Sequence, residues 1–309
     1  MSITISKFEG LVAAPFTPMD KSGEVVYEKI SAYAELLDKN KVVGAFINGS
    51  TGEGVALSQK EKMKTTEAWV KATSDKKQLK TINLVGGTSY QECIENAQHS
   101  AEAGIDAIAL LAPYYFKPGA AGQLAEFCAK VAEAVPNMPV YFYHIPVLTG
   151  CYVSMFDFVQ EADSMIPNLA GIKYTHEDFM DFQSCMNFKN GKYDMLWGRD
   201  ENLLSALVLG ARAGVGSTFN YAAPLYYQLI DAFDKGDLDK ARRLQQLSID
   251  MIRLLGKYGG IATGKAYMRY IGFECGEFRL PIKNMSNEAY KAFEKDVQGL
   301  QMQELFSTL

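Results

Sequence analysis

Leu169-Ala170-Gly171-Ile172-Lys173-Tyr174-Thr175 is a short apolar run closed by a cation. It lacks the polar alternation of a half-exposed strand. It therefore reads as a strand, Ala170–Lys173, buried on both faces, the kind found in parallel sheets covered by helices. Similar runs recur at Leu11–Pro15, Gly44–Asn48, Thr81–Val85, Ala107–Leu111, Val140–Tyr143, Met195–Trp197 and Gly214–Ser217. The segments between them carry helix signals. Val26, Ile30, Tyr33 and Leu37 recur at helical spacing, as do Leu124, Phe127, Val131 and Val135. Ser58–Glu61 and Ser89–Glu92 match the capping box at a helix start, and Ser154–Asp157 matches its acidic form.

Eight strands, each followed by a helix, within about 235 residues predict an α/β fold, the (β/α)8 TIM barrel. A doubly wound sheet is the alternative, but no G-x-G-x-x-G follows the first strand. Beyond Gly236 the strand signal fades. Leu244, Leu247, Met251 and Leu254 keep helical spacing, and Ala289, Phe293, Val297 and Leu300 do so again. The expected organisation is a barrel over 1–236 that carries the active site, and a C-terminal helical extension over 237–309.

Composition narrows the function classes. The chain has 309 residues, 48% hydrophobic and 22% charged, an ordinary globular balance. A net charge of −5 gives no electrostatic footprint for nucleic acid or an anionic membrane surface. No apolar run approaches the ~18 residues of a membrane span, and Met1–Lys7 holds no apolar signal-peptide segment. Cys93, Cys128, Cys151, Cys185 and Cys275 are odd in number and never form a C-x-x-C pair. That pattern points to reduced thiols in the cytoplasm and against a disulfide framework or a zinc site.

Lys173 is out of place at the end of a buried strand, because lysine is rarely buried unless paired. Burial disfavours the ammonium form and yields a free amine able to attack a carbonyl. An ordinary lysine is neutral in only about one molecule in 2,500 at pH 7, and a fall of ~3 pKa units makes roughly a third of the amines neutral. That fall costs about 4 kcal/mol, which a large fold can absorb. Position alone leaves a second reading open: the side chain extends past the strand end and meets a carboxylate.

Active sites of such barrels lie at the C-terminal strand ends. There the second strand leads into Gly49-Ser50-Thr51-Gly52-Glu53, a turn whose hydroxyls and N–H groups suit a carboxylate. The lysine of a phosphate loop is missing from it. Tyr143, one βα unit before Lys173, offers a phenol for proton transfer, or else is a core tyrosine. Asp200 and Glu201 could hydrogen-bond a polyol, or simply decorate a helix N-terminus. His99, His144 and His176 do not form a metal set: His99 falls mid-helix, and strand alternation turns His144 away from Tyr143. Tyr114-Tyr115 supplies aromatic surface near the mouth.

Together, Gly49-Ser50-Thr51-Gly52-Glu53, Tyr143 before Ile145-Pro146, and Gly171-Ile172-Lys173 resemble the dihydrodipicolinate synthase and N-acetylneuraminate lyase superfamily of class I aldolase barrels. The resemblance covers essentially the whole chain. It implies that Lys173 forms a Schiff base with a keto acid, that Ser50 and Thr51 bind its carboxylate, and that Tyr143 mediates proton transfer. Synthases of the superfamily typically carry an arginine where this chain has Leu148, and a glutamate after the lysine, where this chain has Tyr174-Thr175. A guanidinium there would bind a second carboxylate. Its absence, with Lys173-Tyr174-Thr175 and Gly198-x-Asp200-Glu201, resembles the sialic-acid branch.

That branch implies reversible cleavage of N-acetylneuraminate to N-acetylmannosamine and pyruvate, with no metal or organic cofactor beyond the Schiff base on Lys173. By the same resemblance Thr175, Gly198, Asp200, Glu201 and Ser217 line the sugar site, and Tyr115 reaches across a subunit interface of a homotetramer. Arg199 and Ile261 receive no role. The rival expectations are another pyruvate-dependent aldolase or synthase, and a non-catalytic keto-acid or sugar-binding protein.

Overall fold

Eight parallel strands close on themselves in chain order. They are β1 (Gly10–Ala13), β2 (Gly44–Ile47), β3 (Lys80–Leu84), β4 (Ala107–Leu111), β5 (Val140–His144), β6 (Leu169–Tyr174), β7 (Asp194–Trp197) and β8 (Ala213–Gly216). The ring is sealed where Gly10 and Ala13 of β1 pair with Ala213 and Gly216 of β8. The computed structural model describes residues 6–309. Met1–Ile5, which belong to the N-terminal stretch without a signal-peptide segment and to the first domain as expected, lie outside the described residues. Every expected strand is present, displaced by no more than a residue or two at its ends.

The helices are α1 (Lys29–Lys39), α2 (Gln59–Thr73), α3 (Tyr90–Ala103), α4 (Ala121–Ala132), α5 (Pro146–Thr149), α6 (Met155–Met165), α7 (Phe179–Asn187), α8 (Leu203–Val208) and α9 (Phe219–Asp234) around the barrel. Three more, α10 (Leu238–Lys257), α11 (Ala262–Tyr270) and α12 (Asn287–Gly299), form the C-terminal extension. The expected caps are made. Ser58 accepts from the Glu61 N–H while the Glu61 carboxylate accepts from the Ser58 N–H, and Ser89 and Ser154 cap α3 and α6 through Glu92 and Asp157. Three stripe residues fall outside their helices: Val26, Val135 and Leu300, the last being the C-cap of α12. Val26 donates its N–H to the Pro18 carbonyl beside the Met19–Val25 bridge, so α1 begins only at Lys29. Val135 lies past α4 in a turn that keeps it buried.

The core has two layers. An inner cluster of strand residues, among them Phe46, Ile82, Tyr141, Leu196 and Val215, fills the barrel. An outer cluster joins the other strand faces to the helices. This two-sided burial is why the strands read as unbroken apolar runs. The extension is no detached unit. Helix α10 packs along α9 and over the turn that follows β7, so part of the barrel mouth is walled by residues beyond 236. Among the described residues, no helix is long and apolar enough to cross a membrane. All five cysteines are free and buried.

Candidate active site

The mouth of the barrel holds a cavity of about 220 Å³ at the C-terminal ends of the strands. Lys173 and Tyr143 border it, with Thr51 from the loop after β2, Thr175 after β6, Gly198, Asp200 and Glu201 after β7, and Ser217 after β8. Ser50 stands beside the Tyr143 phenol rather than in the cavity wall. Tyr115 is not part of this cavity: it is 77% exposed in the loop after β4, edge-on to Phe116.

Lys173 is the penultimate residue of β6 and only 4% exposed. Its Nζ lies 4.0 Å from the Phe46 ring centroid and 3.9 Å from that of Tyr143. Among the described residues it has neither a hydrogen-bond acceptor nor a carboxylate within ion-pair distance. The reading in which it meets a carboxylate is therefore not the one the fold adopts. Burial between two rings pushes the amine down to about 7, opposed by the more distant charge of Asp200. A free amine is thus abundant at neutral pH.

Tyr143 stands directly opposite Lys173 in the β5–β6 ladder. Burial pushes its phenol up to about 12, an effect partly offset by the hydroxyls of Ser50 and Thr175. At neutral pH the phenol is therefore protonated, able to donate a proton but not to act as a phenolate base. The Thr175 hydroxyl is buried beside the Tyr143 phenol and makes no hydrogen bond of good geometry among the described residues. Gly198 makes room for it, because a Cβ at 198 would stand 1.9 Å from Thr175 Oγ1.

The turn after β2 is pinned from three sides. Asn48 Nδ2 donates to Asn83 Oδ1 at 2.8 Å, Thr17 Oγ1 donates to the Gly52 carbonyl at 2.6 Å, and the Glu53 carboxylate is held from the opposite side. Among the described residues the N–H groups of Ser50, Thr51 and Gly52 find no acceptor in the protein. Of these three residues, Thr51 borders the cavity.

Asp200 does not decorate its own helix. Its carboxylate crosses to the segment after β8 and accepts from the Thr218 N–H at 2.9 Å and the Thr218 hydroxyl at 2.6 Å. Gly216 permits the crossing, since a Cβ there would meet Asp200 Oδ1 at 2.2 Å. Thr218 is held in turn by Tyr226, and Tyr226 by Ser248 of α10. Burial pushes the Asp200 carboxyl up to about 6 against the lowering effect of those Thr218 bonds. Glu201 accepts from Arg199 at 2.7 Å, and Arg199 also reaches Glu177 at 3.1 Å.

Arg199, Thr218, Ile252 and Leu255 border the cavity although they were not among the expected site residues. Thr218 follows β8 directly and carried a hydroxyl at a strand end, a usable signal. Ile252 and Leu255 come from α10, and nothing local ties a distant helix to the mouth. His144 faces outward, as strand alternation requires. It sits 5.1 Å from the Tyr174 ring and 5.6 Å from His176, and burial holds it down at about 4. His99 lies on α3 against Glu67. Among the described residues no group of three or more His, Cys, Asp or Glu side chains is arranged to hold a metal.

Residues 7–300 match the Dihydrodipicolinate synthetase family. The chain is 38% identical over 304 residues to the N-acetylneuraminate lyase of Homo sapiens, covering 97% of this chain and 95% of that protein. The solved structure of Proteus mirabilis N-acetylneuraminate lyase superposes with a TM-score of 0.92 at 37% identity, over 96% of this chain and 99% of that one. A dihydrodipicolinate synthase from Bacillus anthracis superposes with a TM-score of 0.88 at 25% identity, over 96% and 99% of the two chains.

Proposed function

The chain belongs to the dihydrodipicolinate synthetase family, and from that premise we propose that it is a class I aldolase that reversibly cleaves N-acetylneuraminate to N-acetylmannosamine and pyruvate. The observation that carries the chemistry is Lys173, a buried, unpaired amine against Tyr143 at the mouth. The substrate follows from the lyase relatives and from Leu148, which stands where a synthase would place an arginine for a second carboxylate.

Ser50, Thr51 and the turn's N–H groups take the substrate carboxylate and present its C2 ketone to Lys173. The amine adds to C2 and water leaves, giving an iminium. The electrons of the C3–C4 bond flow into that cation and leave an enamine on Lys173. As the bond breaks, the C4 hydroxyl passes its proton to the Tyr143 phenol, which hands its own to the substrate carboxylate for later return to C3, and C4 becomes the aldehyde of N-acetylmannosamine. The enamine is protonated at C3, and hydrolysis releases pyruvate and the lysine. Thr175, Asp200, Glu201 and Ser217 hold the sugar hydroxyls, with Gly198 supplying space. The iminium is the electron sink, so no metal or organic cofactor is required.

In this reading the enzyme is a cytoplasmic homotetramer that acts on small molecules and not on nucleic acid or membranes. Buried free cysteines suit a reducing compartment. The exposed Tyr115-Phe116 pair, 77% and 84% accessible, suits an aromatic anchor for a neighbouring subunit. Sedimentation equilibrium should give four times the 34.2 kDa chain mass; a monomer would exclude that assembly.

Borohydride trapping tests the covalent step. With pyruvate, reduction should leave a carboxyethyl group on Lys173 and on no other lysine. An adduct elsewhere, or none, would defeat the mechanism. Trapping at Lys173 without cleavage of N-acetylneuraminate would favour another pyruvate-dependent aldolase or synthase. Sugar binding with neither would favour a non-catalytic binding protein.

A further inference from the structure

Glu53 closes the turn that carries Ser50 and Thr51, yet it does not border the cavity. Its backbone is in the left-handed region, φ 59°, and its carboxylate is turned inward, 3% exposed. There Oε1 lies 3.0 Å from Lys265 Nζ on α11, and Oε2 accepts from the Arg279 N–H at 2.9 Å. Lys265 also donates to the Glu277 carbonyl at 2.7 Å, and its ammonium lies 4.5 Å from the centroid of the Phe278 ring. Both partners of the carboxylate therefore come from the C-terminal extension, more than 200 residues away in sequence.

The same segment grips the far side of the turn. The Arg279 guanidinium donates to the Ala56 carbonyl at 3.1 Å and to the Glu61 carboxylate at the start of α2. An ion pair this deep adds little net stability over an apolar replacement, and a geometric role is the better-attested reason for keeping one. Here the geometry it fixes is that of a turn whose Thr51 borders the cavity two residues away.

We propose that the Glu53–Lys265 pair is a positioning device, through which the C-terminal extension sets the Ser50-Thr51 turn against Lys173 and so sets affinity for the keto-acid carboxylate. The inference rests on the reading that this turn holds that carboxylate. Glu53 and Lys265 act through the turn and touch no reacting atom.

The experiment compares wild type with Glu53→Gln and the double variant Glu53→Gln/Lys265→Met, which removes both charges together. Borohydride trapping over a range of pyruvate concentrations yields a half-saturating concentration and a limiting rate. Synthesis assays yield the half-saturating N-acetylmannosamine concentration. Small misplacement of a positioning group is enough for losses of up to ~10²-fold, so half-saturating pyruvate should rise at least about tenfold. The limiting rate and the sugar dependence should stay within about twofold. Folded variants that melt earlier but keep the wild-type pyruvate dependence would reduce the pair to a structural tie and overturn the proposal. If Glu53→Gln alone does not fold, the double variant decides. Wild type that traps no pyruvate at Lys173 would bring down the functional reading and this inference together, whereas normal trapping with unmoved variants would bring down this inference alone.

Discussion

Tyr143 and Lys173 are cross-strand partners on β5 and β6, and the lysine Nζ lies 3.9 Å from the centroid of the tyrosine ring. On the proposed mechanism this pairing sets a proton relay and a nucleophile on one edge of the mouth. The same mechanism gives the two parts of Tyr143 separate tasks: the ring helps desolvate the amine, and the hydroxyl moves a proton.

Tyr143→Phe separates those tasks, because it keeps the ring and removes only the hydroxyl. Trapping of pyruvate on Lys173 should stay within a few-fold of wild type. Cleavage of N-acetylneuraminate should fall by roughly 10²–10⁴, the usual contribution of a proton-transfer group. Steady-state kinetics and borohydride trapping on the same variant check it. Equal losses in both would refute the division.

The pH dependence of trapping follows from the amine, which attacks only when neutral. Lys173 sits at about 7 in the fold. The trapping rate at subsaturating pyruvate should therefore rise tenfold per pH unit below that value and level off above it. A midpoint near that of an ordinary lysine would show that burial does not activate this residue.

Asp200→Asn carries a stability prediction with a definite sign. The carboxyl is raised from 3.8 to about 6 by burial, so the folded state favours its protonated form. The stability from that preference is complete below the ordinary value and disappears as pH rises through about 6. Asparagine is neutral throughout. At pH 8 the variant should melt higher than wild type, by roughly 2–4 °C per kcal/mol recovered, and the gain should vanish near pH 4. Cleavage should fall because the sugar loses a charged acceptor. The midpoint for Lys173 trapping should move downward, since the Asp200 anion favours the ammonium. Melting curves at the two pH values check the sign.

Much of the fold was legible because each strand is buried on both faces and reads as an unbroken apolar run. Strand ends mark the mouth, which is why Lys173, Tyr143 and Asp200 could be placed from position and the family motifs. Asp200 was legible as a site residue but not as the end of a chain through Thr218, Tyr226 and Ser248, since those contacts span 8 to 48 residues. Ile252 and Leu255 escaped for the same reason: an amphipathic stripe on α10 shows that a face is buried, not which surface it meets. Tyr115 is the reverse case. Its expected role needs a second chain, and within one chain it is simply exposed.

Incubation of wild type and Lys173→Met with N-acetylneuraminate, followed by proton NMR, tests the central claim most directly. Wild type should release pyruvate and N-acetylmannosamine in equal amounts and approach a reversible equilibrium, while Lys173→Met, still folded by circular dichroism, should release neither. No products from wild type, or comparable release by Lys173→Met, would contradict the account.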